Sequence, residues 1–168
     1  MAIAPELFET APEIRIRPMT ETDVAEVFAI ERSSYQFPWS EGIFRDCLRV
    51  GYVCRVLSVG REVIGYGVMS VGAGEAHILN LCVSDTYRCR GLGRRMLGYL
   101  LERGTAAGMS EAFLEVRPSN TAAIRLYQAV GFEQVGMRRG YYQAVGGRED
   151  AAVLRLTLRG RRGPRHTT

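Results

Sequence analysis

Lysine is absent from this chain of 168 residues, so all 22 basic residues are arginine and the formal charge of +4 rests on arginine alone. A Walker-type phosphate loop, which needs Gly-Lys-Ser or Gly-Lys-Thr, is thereby excluded. Long hydrophobic runs are missing as well. The longest apolar stretches are strand-sized and broken by glycine or charge, which leaves no candidate membrane-spanning helix. The first residues carry Glu6, Glu9 and Glu13 and no apolar block behind a basic start, so they do not read as a signal peptide, and a cytoplasmic location is expected. Histidine is scarce, with His77 and His166 each standing alone. Cysteines 47, 54, 82 and 89 have six residues between the members of each pair, a spacing that matches no common zinc knuckle. No metal is expected, and the thiols read as small buried or half-buried groups in a reducing compartment.

A chain of this length fits one domain with its own core. That domain is expected over 1–158, with 1–13 an N-terminal extension. Residues 159–168 carry Arg159, Arg161, Arg162 and Arg165 and read as a basic, solvated, disordered tail. Such a tail could attract a polyanion such as RNA or the ribosome surface, yet the chain holds no recognisable nucleic-acid module. A monomer is favoured.

The order of elements alternates. Ile14 and Ile16 alternate with Arg15 and Arg17, as in a strand. Thr20 and Asp23 form a capping box ahead of an amphipathic helix carrying Val24, Val27, Phe28 and Glu31. Ser40 caps a second short helix with Ile43, Phe44, Cys47 and Leu48 on one face, and the aromatic, proline-stiffened stretch 35–39 between them reads as a loop. Strands at 52–58, 62–71 and 76–83, joined by glycine turns, make an antiparallel meander. Then come a helix from about residue 92 to 103, a strand at 111–116, a helix near 120–130 ended by Gly131, and strands near 132–138 and 149–158. This α/β order predicts a mixed, mostly antiparallel sheet with helices on both faces.

Residues 88 to 93, Arg-Cys-Arg-Gly-Leu-Gly, lie between a strand-like run and a helix-like run. Glycine at 91 and 93 permits φ > 0 and lets a ligand approach the main chain, so successive N–H groups can converge on one anion at the positive end of the following helix. A dinucleotide fingerprint would need a third glycine where Met96 stands. A pyrophosphate-bearing ligand of another kind remains, although a glycine turn before a helix also occurs in folds with no ligand. Glu115 lies in a strand otherwise suited to a core, and on period alone it points to solvent or pairs with an arginine. Tyr127 falls two turns along the next helix, where a tyrosine is ordinarily half-buried packing.

Taken together, these pieces resemble the GCN5-related N-acetyltransferase (GNAT) family: apolar strand, Arg-x-x-Gly-x-Gly, helix, strand, then Asn-x-x-Ala-x-x-Leu-Tyr-x-x-x-Gly-Phe from Asn120 to Phe132. Three further stretches look like its RimI type, which acetylates the N-terminal alanine of a small-subunit ribosomal protein. They are residues 37–41, residues 114–120, and residues 138–142 together with 149–151. The likeness spans about residues 14–158.

The resemblance implies acetyl-CoA as cosubstrate and a protein N-terminus, from a small-subunit ribosomal protein, as acceptor. By position it assigns the pantetheine arm to Leu81, Cys82 and Val83, and the pyrophosphate to Arg88, Cys89, Arg90, Gly91, Leu92, Gly93 and Arg94. Asn120 would sit near the cofactor's reactive end, Glu115 would be the general base and Tyr127 the general acid. Arg88 stands where glutamine is common in the family and Gly140 where asparagine is. Loops at 35–39 and 138–147 would wall the acceptor with Phe37, Trp39, Tyr141 and Tyr142. A small amine or a lysine side chain as acceptor, and a non-catalytic acyl-CoA sensor, are the alternative readings.

Overall fold

The computed structural model describes residues 12–158. β-branched and aromatic alternation sets up the first half of the sheet: β1 (Ile14–Pro18), β2 (Val53–Val59), β3 (Glu62–Gly72) and β4 (Glu75–Val83) pair in sequence order, all antiparallel. Between β1 and β2 run α1 (Val24–Ser34) and α2 (Glu41–Arg49). The entry to α1 is fixed by Asp23, which accepts from the Thr20 N–H at 2.8 Å and takes both ends of the Arg17 guanidinium at 2.8 Å, tying the helix to β1. The Ser40 hydroxyl caps α2 by accepting from the Ile43 N–H at 3.2 Å.

The second half comprises α3 (Leu92–Ala106), β5 (Glu111–Val116), α4 (Thr121–Val130), β6 (Glu133–Ala144) and β7 (Gly147–Thr157). The seven strands run β1-β2-β3-β4-β5-β7-β6, and only β4 and β5 are parallel neighbours. Two apolar clusters lie on opposite faces, as alternating strand residues require. Met96, Leu97, Leu100 and Leu101 of α3, with Tyr127 of α4, cover Leu57, Ile64, Ile78, Leu114 and Leu154. Val24, Val27, Phe44 and Cys47 cover Cys54, Val56, Tyr66 and Val68 on the other side. Gly67 allows α3 to sit close on β3, since a Cβ there would lie 2.9 Å from Leu100 Cδ1 and Met96 Cγ.

The parallel seam between β4 and β5 is short. It joins Glu75–Ile78 to Glu111–Leu114, after which Asn80–Val83 have strand partners only in β3 and the two strands part. A register shift between β3 and β4, which leaves Leu79 without a partner, falls at the same place. Bulges of this kind bend a strand and increase its twist.

The expected order of elements holds, with one correction. Residues 138–147, expected as a loop, are hairpin: β6 runs on to Ala144 and turns directly into β7. The sequence hid this because the register shifts between Arg138 and Tyr142, where Gly140 takes φ +56° and breaks the strand periodicity. The basic tail at 159–168 and the first 11 residues lie outside the described residues. Among the described residues, no helix is long and apolar enough to cross a membrane.

Candidate active site

The turn before α3 has the backbone that its composition implies. Cys89 and Gly91 adopt left-handed φ values of +60° and +75°, and the first bond of the helix runs from the Arg95 N–H to the Gly91 carbonyl. Among the described residues, the N–H groups from Cys89 to Arg94 have no hydrogen-bond acceptor, the situation expected of an uncapped helix N-terminus. Gly93 is not required by the protein's own packing, because a Cβ there would meet Leu126 at 3.5 Å and Val83 at 4.0 Å, ordinary contacts. Of the arginines, Arg88 is engaged inward: its guanidinium donates to the Val83 carbonyl at 3.0 Å and the Ser34 hydroxyl at 3.1 Å, and it pairs with Asp85. Arg90 lies over the Tyr87 ring, 5.1 Å from its centroid.

Glu115 sits on β5 just past the last residue paired with β4, on the face opposite Leu114 and therefore opposite α3. Its side chain is only 7% exposed. One carboxylate oxygen is hydrogen-bonded to His77 Nε2 from β4, and the other lies 3.2 Å from Arg138 Nε of β6. Burial raises the Glu115 pKa, but the His77 hydrogen bond and charge and the Arg138 guanidinium outweigh it, so the carboxyl is held below its usual range.

Tyr127 is buried in α4, its ring edge-on to Phe132. Burial, with the neighbouring Cys82 second, pushes its phenol up to about 12. At the end of β4 the Leu81 carbonyl accepts from the Tyr35 hydroxyl at 3.1 Å. The Asn120 side-chain oxygen caps α4 by accepting from the Ala123 N–H at 3.2 Å, which leaves its amide NH₂ for other use. All four cysteines are free, and Cys89 is the exposed one.

The aromatic residues divide. Phe37, Tyr141 and Tyr142 gather around the sheet face that carries Glu115, whereas the Trp39 ring turns inward onto Phe44, 5.3 Å between centroids. Arg117 joins the two walls: its guanidinium lies 4.4 Å from the Tyr142 centroid and 5.8 Å from that of Phe37, and it pairs with Glu149 at 3.1 Å. Glu149 also accepts from the Ser119 hydroxyl at 3.0 Å. None of the buried residues of the α1/α2 cluster comes from β5, β6 or β7, so this part of the sheet face is left to the polar and aromatic groups.

Three residues at or beside the site were not singled out. His77, read as standing alone, is the partner of Glu115. Arg138 is the other. Glu31, 2% exposed, accepts from the Tyr66 hydroxyl, from Asn80 Nδ2 at 3.0 Å and from the Trp39 N–H at 3.0 Å, and so ties α1 to the sheet and to the aromatic loop. A carboxylate on the apolar stripe of a helix was the available signal for Glu31. For His77 it was strand period, which puts His77 on the face that Glu115 shares once β4 and β5 are paired.

A family model described as "Acetyltransferase (GNAT) family" matches residues 17–132. The chain is 34% identical over 143 residues, 85% of its length and 97% of the relative's, to the [ribosomal protein bS18]-alanine N-acetyltransferase of Escherichia coli K12. It is 32% identical over 144 residues to the protein of the same name from Haemophilus ducreyi, covering 85% of this chain and 99% of that one. Among solved structures, the crystal structure of the ribosomal-protein-S18-alanine N-acetyltransferase from Escherichia coli superposes with a TM-score of 0.81 at 31% identity, covering 93% of this chain and 99% of that one.

Proposed function

The chain belongs to the acetyltransferase (GNAT) family, and from that premise we propose that it transfers acetyl from acetyl-CoA to the N-terminal α-amine of a protein, an alanine of a small-subunit ribosomal protein. The observation that carries the reading is the buried Glu115 carboxylate, set where β4 and β5 part and walled by Phe37, Tyr141 and Tyr142.

The residues fit the cosubstrate. Unengaged N–H groups from Cys89 to Arg94 suit a pyrophosphate, and Gly91 and Gly93 bring no side chain to that turn. The open edge of Leu81, Cys82 and Val83 offers amide partners to the pantetheine arm, with the Asn120 amide near its end. Arg88 then serves by bracing the turn through Asp85 and Val83. Acetyl-CoA supplies the thioester carbon that the amine attacks.

The chain's own groups would do the rest. The Glu115 site takes the amine proton, a backbone N–H near Val83 polarises the carbonyl, and Tyr127, protonated at any physiological pH, gives its proton to sulfur. The acceptor suits a mild base: at pH 7 roughly one α-amine in seven is neutral, against roughly one lysine amine in 2,500. Trp39 supports this reading from beneath, holding the loop that presents Phe37. The enzyme would act in the cytoplasm as one catalytic domain and as a monomer.

The test is a short peptide beginning Ala-Arg, with a free α-amine and one internal lysine, incubated with acetyl-CoA and mapped by fragment mass spectrometry. Acetyl on the terminal alanine alone is expected. Acetyl on the lysine would shift the reading to side-chain chemistry, and transfer only to small amines would end the protein-substrate reading.

A further inference from the structure

Glu115 is poorly placed to meet an amine by itself. Its side chain is 7% exposed and both oxygens are held, one by His77 Nε2 and the other by Arg138 Nε at 3.2 Å. A carboxylate stabilised in its charged form by two partners is a weakened base. His77 is placed the opposite way. Its side chain is 34% exposed, Nε2 is taken up by Glu115, and Nδ1 has no hydrogen bond among the described residues. His77 directly precedes Ile78 and Glu115 directly follows Leu114, the last residues joining β4 to β5, so the pair spans the point where the strands part.

We infer that His77 Nδ1 is the group that takes the acceptor's proton, and that Glu115 positions it by accepting the Nε2–H. This deepens the acetyltransferase reading above and rests on it. The hydrogen bond at one imidazole nitrogen decides which tautomer is present, and a carboxylate accepting the Nε2–H leaves the free lone pair on Nδ1. The same carboxylate stabilises the imidazolium once the proton arrives.

The step balances. His77 Nδ1 takes one N–H proton as the amine lone pair forms the C–N bond to the thioester carbon. Tyr127 gives its phenol proton to sulfur as the C–S bond breaks. Water then carries the proton from His77 to the Tyr127 phenolate, so one amine and one thioester become one amide and one thiol with no net change in protons.

The experiment compares the full-length enzyme with two variants, using acetyl-CoA and the Ala-Arg peptide. His77→Gln retains an N–H for Glu115 but has no basic nitrogen. It is expected to lower kcat about 10²-fold while acetyl-CoA Kd stays unchanged. His77→Ala is expected to regain turnover as imidazole is added, a response that a purely structural histidine would not give. A Gln variant within about threefold of the parent kcat, or an Ala variant that imidazole leaves silent, overturns the assignment. The acceptor is judged separately, from the parent enzyme's product. If that enzyme acetylates a small amine and not the peptide, the N-terminal reading falls, while the same ratios measured on the amine still decide the role of His77.

Discussion

The Glu31 carboxylate, buried in α1, accepts the backbone N–H of Trp39 at 3.0 Å, eight residues further along the chain. Tyr66 and Asn80 hold its second oxygen, so one side chain sets the aromatic loop against β3 and β4. Glu31→Ala would leave these donors without their acceptor in a site closed to water, at a cost of about 1–3 kcal/mol for each group left unsatisfied. The expected result is a large fall in Tm together with a peptide KM that rises more than the acetyl-CoA KM. Equal changes in the two constants would show that the loop does not meet the acceptor.

Gly93→Ala separates folding from binding. Its Cβ would make only ordinary contacts with Leu126 and Val83, and alanine favours a helix over glycine by up to about 1 kcal/mol. The variant should therefore melt no lower than the parent, yet bind acetyl-CoA at least about tenfold more weakly, because a methyl group is added to the turn whose free N–H groups would take the pyrophosphate. Calorimetric titration alongside thermal melts checks both halves.

Glu115→Gln and Tyr127→Phe should each lower kcat about 10²-fold and leave acetyl-CoA affinity nearly intact. Because the Tyr127 phenol is pushed up to about 12, it should cause no loss of kcat at any pH up to about 10. A steady-state pH series with the alanine peptide tests this, and a fall in kcat below that limit that vanishes in Tyr127→Phe would contradict it.

Asp23 gives a prediction about stability. The Arg17 hydrogen bonds, over the opposing effect of burial, hold its carboxyl below the ordinary value of 3.8. A depressed folded-state pKa contributes stability that is fully present above the unfolded value and is lost as pH falls through the folded one. Asp23→Asn should therefore be less stable than the parent at pH 7, and the gap between them should close below about pH 4. Urea unfolding at several pH values measures it, and a gap that is constant with pH would remove the linkage.

Arg117→Ala should release Phe37 and Tyr142 from their shared cation and leave Glu149 with the Ser119 contacts alone. The expected outcome is a higher peptide KM with little change for acetyl-CoA. Arg117→Lys should recover only part of it, since an ammonium cannot stack on a ring and pair with a carboxylate as a planar guanidinium does.

Much of the frame was legible because it is local. The Thr20 and Ser40 helix starts, the left-handed Gly91 and the Gly131 helix end are each written within a few residues of where they act. The Glu115 environment was not, because its partners come from β4 and β6, strands whose neighbours are set only when the sheet forms. Chain order puts His77 38 residues from Glu115, and nothing between them announces a parallel seam four pairs long. Trp39 shows the same limit: its place in an aromatic loop was legible, but the Phe44 ring it packs against was not.

That short seam has a mechanical consequence. The seven strands amount to a panel of four and a panel of three whose backbones are paired only through Glu75–Ile78 against Glu111–Leu114 among the described residues. A molecule laid along the open edge would splint the panels together. Amide exchange at Leu79–Val83 and at Glu115–Val116 should accordingly slow on acetyl-CoA binding far more than exchange in β1 or β2, the substrate adding a second tie between halves that the core beneath α3 already joins.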